Sequence, residues 1–184
     1  MYTIKQNPAI IKLPGSTYRK YNDASIPTKA KAGGAYINSF LATSDAVRNG
    51  YDEALMMDDQ GNVVEAAVAN VLVVYRGRLL IPDTGAAALE GITIRTVVEL
   101  LEHAGHTVER ERIDRSMIFS ADELLVTGTA MKVVYAESLD GKPIGTPNYS
   151  EKPKAGKFCK FLQEEFEKVI NGDHEKSKDW LEVF

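Results

Sequence analysis

The sequence predicts a strand-rich α+β domain with helices packed on its outside. Three observations lead there. Short apolar stretches of strand length are numerous and are punctuated by Gly, Asp and Asn. Apolar residues recur at helical spacing in only a few longer stretches. The two kinds of segment alternate irregularly, without the clean βαβ repeat of a doubly wound parallel sheet.

The elements follow in order. Residues 1–25 read as an arm or linker with one short strand near residues 9–13, because Asn7-Pro8 and Pro14-Gly15-Ser16 break any longer element. Ile26-Pro27-Thr28 is expected to enter as a strand. From residue 36 to 49, Ile37, Phe40, Leu41, Ser44 and Val47 fall near helical spacing, and Gly50 is a helix stop. Residues 53–57 read as a strand, 58–62 as a turn and 63–65 as the next strand. Residues 71–75 and 78–81 flank Arg76-Gly77, a two-residue hairpin signal. After a loop at 82–85, Gly91-Ile92-Thr93 opens a helix with Ile94, Val97, Val98 and Leu101 on one face, closed by Gly105.

Residues 107–113 alternate apolar and charged, as a half-buried strand does. Short strands are expected at 124–127 and 132–139, with Asp140-Gly141 turning the chain into residues 142–145. Residues 147–154 are loop. Residues 157–170 form an amphipathic helix with Phe158, Phe161, Leu162, Phe166, Val169 and Ile170 on one side. The charged tail, 171–184, is expected to fray, with Trp180 and Phe184 able to dock.

Composition narrows the function. A chain of 184 residues with 44% hydrophobic content suits one domain with a sizeable core. A formal net charge of −4 leaves no basic surplus, so nucleic acid is not an expected partner. The single cysteine, Cys159, forms no internal disulfide, which fits a reducing cytoplasm. Lys5, Asn7 and Lys12 interrupt any signal-peptide apolar core, and no apolar run is long enough to span a bilayer.

Four places carry chemistry. In Lys29-Ala30-Lys31-Ala32-Gly33-Gly34-Ala35-Tyr36 a lysine precedes two glycines and a tyrosine. A lysine amine that loses its proton forms a Schiff base with an aldehyde. The glycines are expected to turn the backbone sharply and leave room for a flat ligand. Glu65 stands at a strand end, five residues before Asn70. Gly91-Ile92-Thr93 offers backbone N–H groups and a hydroxyl at a helix N-terminus, where an anion sits well. Thr127-Gly128-Thr129-Ala130 offers hydroxyls and backbone donors after a strand. Each is common alone, as a solvated lysine, a surface acid, a helix cap or a turn. Together they match what pyridoxal phosphate needs: an imine partner, a pyridinium counter-ion, a donor to the ring oxygen and a phosphate cup.

The landmarks are Lys31 through Ser39, Gly50-Tyr51-Asp52-Glu53-Ala54, Glu65 with Asn70, Gly91-Ile92-Thr93, Ala121-Asp122-Glu123, Gly128-Thr129-Ala130 and Leu139-Asp140-Gly141. In this order and spacing, from about Ile26 to Ile170, the chain resembles the class IV pyridoxal-phosphate aminotransferases, most closely those of branched-chain amino acids. The resemblance implies the strand-rich pseudo-barrel large domain of the fold-type IV enzymes, as in D-amino-acid aminotransferase. It implies pyridoxal 5′-phosphate as cofactor. Lys31 matches the lysine that bonds the cofactor and shuttles the substrate Cα proton. Tyr36 matches the tyrosine on the ring hydroxyl oxygen, and Glu65 the carboxylate facing the pyridine nitrogen. Ile92, Thr93 and Thr129 match phosphate binders. Thr129 and Ala130 match the turn that meets the substrate carboxylate. No residue is assigned to a metal.

The implied reaction is amino transfer between an aliphatic amino acid and a 2-oxo acid such as 2-oxoglutarate, in a homodimer or higher oligomer without nucleic-acid or membrane partners. Family members carry a smaller domain before the lysine, which supplies an arginine to the cofactor phosphate. Only thirty residues precede Lys31. The expectation is therefore an arm or interdomain linker, 1–25, and the large cofactor-binding domain alone, 26–184. Departures from the family pattern are Ile94 and Arg95 where a basic residue directly follows the Gly-Ile-Thr, Leu72 for an aromatic, Ala69 for an acid and Ile81 for a threonine. D-amino-acid aminotransferase, aminodeoxychorismate lyase and a catalytically silent domain are the alternatives.

Overall fold

The computed structural model describes residues 10–83, 87–145 and 153–180. In chain order its strands are β1 (Ile10–Leu13), β2 (Gly15–Arg19), β3 (Leu55–Met57), β4 (Val63–Ala66), β5 (Asn70–Tyr75), β6 (Arg78–Pro82), β7 (Val108–Glu111), β8 (Glu123–Gly128), β9 (Lys132–Leu139) and β10 (Lys142–Pro143). Its helices are α1 (Ile37–Arg48), α2 (Ile92–His103), α3 (Arg115–Phe119), α4 (Lys157–Asn171) and α5 (Ser177–Trp180).

Among the described residues the strands make two sheets. The larger runs β1-β9-β8-β5-β6-β7, with β10 also on β9, and the smaller runs β2-β3-β4. The β5-β8-β9 centre is antiparallel, while β1 lies parallel to β9 and β7 parallel to β6. This is the α+β arrangement that irregular alternation predicts.

β5 shows how sequence sets the layers. Val71 and Val73 pack into the core between the sheets with Leu13, Leu55, Leu80, Val126 and Val134. Leu72 and Val74 pack on the opposite face, against Val97 and Leu101 of α2 and Leu162 of α4. A strand buried on both faces reads as a continuous apolar run, as Val71-Leu72-Val73-Val74 does. Each fully buried Leu in such a layer contributes about 1.5–3 kcal/mol. On the outer face of the small sheet, Ala42 and Ala46 of α1 pack on Met56 and Ala67. The order is therefore helices α2 and α4, large sheet, small sheet, helix α1.

Among the described residues the chain passes between the sheets twice. Pro14, without an N–H to give to either ladder, separates β1 from β2. Residues 10–19, expected to hold one short strand, therefore carry two, one in each sheet. The second passage is Ala67-Val68-Ala69, between β4 and β5. Both predicted two-residue hairpins form with positive φ at each turn residue: Arg76 (51°) with Gly77 (76°), and Asp140 (51°) with Gly141 (73°).

Two local expectations need correction. Ile26-Pro27-Thr28 is no strand; a 3-10 turn covers Thr28–Ala30. Local side-chain hydrogen bonds win there: Asn22 accepts from the Ser25 N–H at 3.1 Å and Asp23 from the Thr28 N–H at 3.0 Å. Helix α3 has no counterpart in the sequence-based expectations. Asp114 caps it, accepting from the Met117 N–H at 2.9 Å. The tail forms α5, and Trp180 packs on the α2–α4 core. The loop expectations at Thr84-Gly85 and 147–152, and the docking of Phe184, lie outside the described residues. Among the described residues no helix is long and apolar enough to cross a membrane.

Candidate active site

The second passage between sheets builds a cleft. The Ala66 N–H donates to the Ala69 carbonyl at 2.7 Å, a tight turn that sets the end of β4 beside the start of β5. Glu65 and Asn70 consequently meet, with Asn70 Nδ2 donating to Glu65 Oε2 at 3.1 Å. Glu65 is buried, and burial pushes its carboxyl above the ordinary carboxylate value. The ammonium of Lys20, 2.6 Å from Oε1, pulls it back down.

Asn70 also reaches the start of α2. Its Oδ1 accepts from the Gly91 N–H at 3.1 Å, and its Nδ2 donates to the Leu89 carbonyl at 2.8 Å. A Cβ on Gly91 would lie 2.6 Å from that Oδ1, so only glycine fits without displacing Asn70. Among the described residues no side chain caps α2, and its first residues, Ile92 and Thr93, line the cleft. An uncapped helix N-terminus presents unpaired N–H groups and the positive end of the helix dipole. Ile92 is 73% exposed and contributes backbone here, whereas Thr93 is buried.

The β8–β9 turn forms the facing wall, through Thr127, Gly128 and Thr129. Thr127 is fully buried, and its Oγ1 has no hydrogen-bond partner among the described residues. A buried hydroxyl left unpaired costs about 1–3 kcal/mol, which a polar ligand in the cleft would recover.

Lys31 lies at the mouth. It stands between the turn Thr28–Ala30 and a second 3-10 turn, Gly33–Tyr36, with φ 49° and ψ 35°, the left-handed region. The sharp turn expected of the two glycines therefore belongs to the lysine. Neither Gly33 nor Gly34 has positive φ, and nothing lies within 4 Å of a Cβ added to either. Non-glycine residues held in this region cost on the order of 1–3 kcal/mol and cluster at functional sites. Lys31 is exposed and Tyr36 half-buried, and both line the cleft. Lys29, two residues earlier, does not line it; its charge acts on Glu90 instead.

The fold thus brings Lys31, Tyr36, Glu65, Ile92, Thr93 and Thr129 to one cleft. Ala130, next to Thr129, is exposed and does not line it. Lys20 and Asn70 line it as well. Asn70 is visible in the sequence only as the companion of Glu65. Lys20 carries no signal there, because within Arg19-Lys20-Tyr21 nothing distinguishes it from a solvated lysine. The set offers an amine, a phenol, a buried carboxylate, unpaired N–H groups and an unpaired hydroxyl. That suits a flat, anionic, carbonyl-bearing ligand.

The comparisons with known proteins agree with this chemistry. Residues 3–139 match the family model of amino-transferase class IV. The chain is 36% identical over 172 residues to a probable branched-chain-amino-acid aminotransferase of Aquifex aeolicus, covering 93% of this chain and 53% of that protein. The branched-chain aminotransferase of the archaeon Thermoproteus uzoniensis, solved with norvaline, superposes with a TM-score of 0.87 at 30% identity, over 97% of this chain and 57% of that one. The PLP-form of the branched-chain enzyme from Thermobaculum terrenum gives 0.87 at 29% identity, over 99% and 57%. The chain spans about half the length of the curated relatives it matches. It belongs to the class IV aminotransferase family.

Proposed function

We propose that this member of the class IV family is the cofactor-binding part of a branched-chain-type aminotransferase, with residues 26–184 as the domain and 1–25 as the arm leading into it. The reaction is amino transfer between an aliphatic amino acid and a 2-oxo acid, 2-oxoglutarate included. The observation that carries this reading is the convergence of Lys31, Tyr36, Glu65 and the uncapped start of α2 on one cleft. Pyridoxal 5′-phosphate fits there, since the unpaired Thr127 hydroxyl and the first N–H groups of α2 await a polar, anionic partner.

When bound, that cofactor supplies an aldehyde for amines and a ring that accepts electrons as the substrate Cα–H bond breaks. The chain's residues do the rest. Lys31 would hold the cofactor through its amine and, once the substrate amine has displaced it, would take and return the Cα proton. Tyr36 donates to the ring oxygen. Glu65 accepts from the ring nitrogen and, as a carboxylate, favours its protonated form. The backbone of Ile92, with Thr93 and Thr129, would hold the phosphate, and the Thr129-Ala130 turn would meet the substrate carboxylate through N–H groups.

The same reading makes the working protein a homodimer or higher oligomer in the cytoplasm. Ile37 (58%), Phe40 (59%) and Val47 (42%) of α1 are exposed large apolar residues, a surface that association would cover. The lone cysteine supports a reducing compartment. Borohydride reduction in the presence of the cofactor, followed by peptide mapping, tests the core of the proposal. The expected label is on Lys31. A label on Lys29, or on no lysine, overturns it.

A further inference from the structure

Lys20 has no part in the assignments above, yet it is built into the floor of the cleft. It follows β2, and its N–H donates to the Met57 carbonyl at 2.9 Å, which anchors its backbone to the small sheet. Its ammonium lies 2.6 Å from Glu65 Oε1, and the two side chains are only 12% and 8% exposed. The second Glu65 oxygen is held by Asn70. The other ionisable groups lining the cleft are Tyr21, Lys31 and Tyr36; Lys20 is the one in ion-pair contact with Glu65.

A carboxylate this deep is costly without compensation, and left alone it takes up a proton. A protonated Glu65 would present an O–H to the cleft in place of an acceptor. An ammonium in direct contact opposes that tendency and draws the carboxyl back towards its ordinary value, although burial remains the larger effect. Its field stabilises charge on Glu65 more strongly than it opposes a positive charge farther into the cleft, since the interaction falls with distance.

We propose that Lys20 is a positioning residue that keeps Glu65 ionised and aimed into the cleft, so that the carboxylate receives a protonated ring nitrogen. The inference rests on the pyridoxal-phosphate reading of the cleft. Lys20 touches the acid and works through it. Arginine preserves the pair, whereas methionine, of similar length, removes it.

The test has two arms. In the cofactor-free protein, the Glu65 carboxyl is titrated by infrared difference spectroscopy or by NMR with labelled glutamate, using Glu65→Gln to assign the signal. Lys20→Met is expected to raise the Glu65 midpoint by about one pH unit or more, and Lys20→Arg to leave it near the parent value. If Lys20→Met does not fold, Lys20→Gln takes its place, with the same upward shift of the Glu65 midpoint expected. In the second arm, pyridoxal phosphate labelled at the ring nitrogen is bound and its protonation read by NMR. The nitrogen is expected to be protonated in the parent and in Lys20→Arg and to lose its proton in Lys20→Met. Unchanged midpoints, or a ring nitrogen indifferent to Lys20, overturn the inference. A parent protein that binds no cofactor overturns the reading beneath it, and the first arm reports that failure separately.

Discussion

Asn70 Oδ1 sits 3.1 Å from the Gly91 nitrogen and 2.6 Å from the point where a Cβ on Gly91 would stand. The same amide holds Glu65 and Leu89, so one side chain ties the acid of the cleft to the helix start that faces it. Gly91 has φ −74°, an ordinary value for alanine, so Gly91→Ala tests the contact and not the backbone. The substitution is expected to destabilise the domain by about 1–3 kcal/mol and to weaken cofactor binding. In an Asn70→Ala background the clash is gone and the same change costs less. Urea unfolding of the four proteins gives the coupling; strictly additive values would show that the two residues do not constrain each other.

Glu65→Gln separates tuning of the cofactor from holding it. Glutamine retains an acceptor of the same size but not the charge. In a preparation that carries out the half-reaction with leucine, the rate is expected to fall about a hundredfold, the scale of losing one preorganised electrostatic contact. Cofactor affinity is expected to fall by less than about tenfold. Stopped-flow rates and an absorbance titration supply the two numbers. Unchanged rates return Glu65 to a structural role, and equal losses in both make it a holder of the cofactor. The variant also leaves Lys20 without its carboxylate, so its Tm is expected to drop.

Glu53 predicts a pH dependence of stability. It is 1% exposed, accepting from the Ala54 N–H at 2.7 Å and from the Thr43 hydroxyl at 3.2 Å. Burial raises its carboxyl from an ordinary 4.5 to about 7. A folded-state value above the unfolded one gives a contribution that is complete below pH 4.5 and lost as pH climbs to 7. The loss amounts to about 3 kcal/mol at about 1.36 kcal/mol per pH unit. Glu53→Gln keeps one oxygen to accept both hydrogen bonds and removes the titration. It is expected to match the parent near pH 4.5 and to exceed it in stability above pH 7. Parallel stability–pH curves would assign the effect elsewhere.

Phe40 reports on assembly. It is 59% exposed on α1, so replacing it should not disturb the core of a single chain. The parent protein is expected to scatter light as a dimer or larger at micromolar concentration. Phe40→Asp is expected to shift it towards monomer with little change in Tm. A parent that is already monomeric would remove α1 from consideration as a contact surface.

The fold is legible wherever local chemistry and burial agree. Val71-Leu72-Val73-Val74, the helix face Ile94-Val97-Leu101 and the Asp140-Gly141 turn all carry their structure in their pattern. It is illegible where distant partners decide. Gly15-Ser16-Thr17-Tyr18-Arg19 has little strand character of its own and becomes β2 because β3 supplies its ladder. Ile26-Pro27-Thr28 looks extended, but the side chains of Asn22 and Asp23 curl it. In the cleft, residues on recognisable turns are readable from spacing. Lys20 is not, since its meaning depends on Glu65, forty-five residues away in sequence and 2.6 Å away in space.

The parallel seating of β1 on β9 has a consequence for synthesis. The first strand of the described chain finds its ladder, and Gly15 its hydrogen bond to Asp140, only across a separation of 125 residues. At about 5–20 residues per second, β1 leaves the ribosome roughly 6–25 s before its partner exists. Throughout that interval Ile11 and Leu13, which end fully buried, have no sheet to enter. Pairings this remote slow folding and leave unpaired strand exposed to other chains. Lys12 between these two residues and Pro14 after them put a charge and a ladder break there, the kind of interruption that disfavours pairing with other chains.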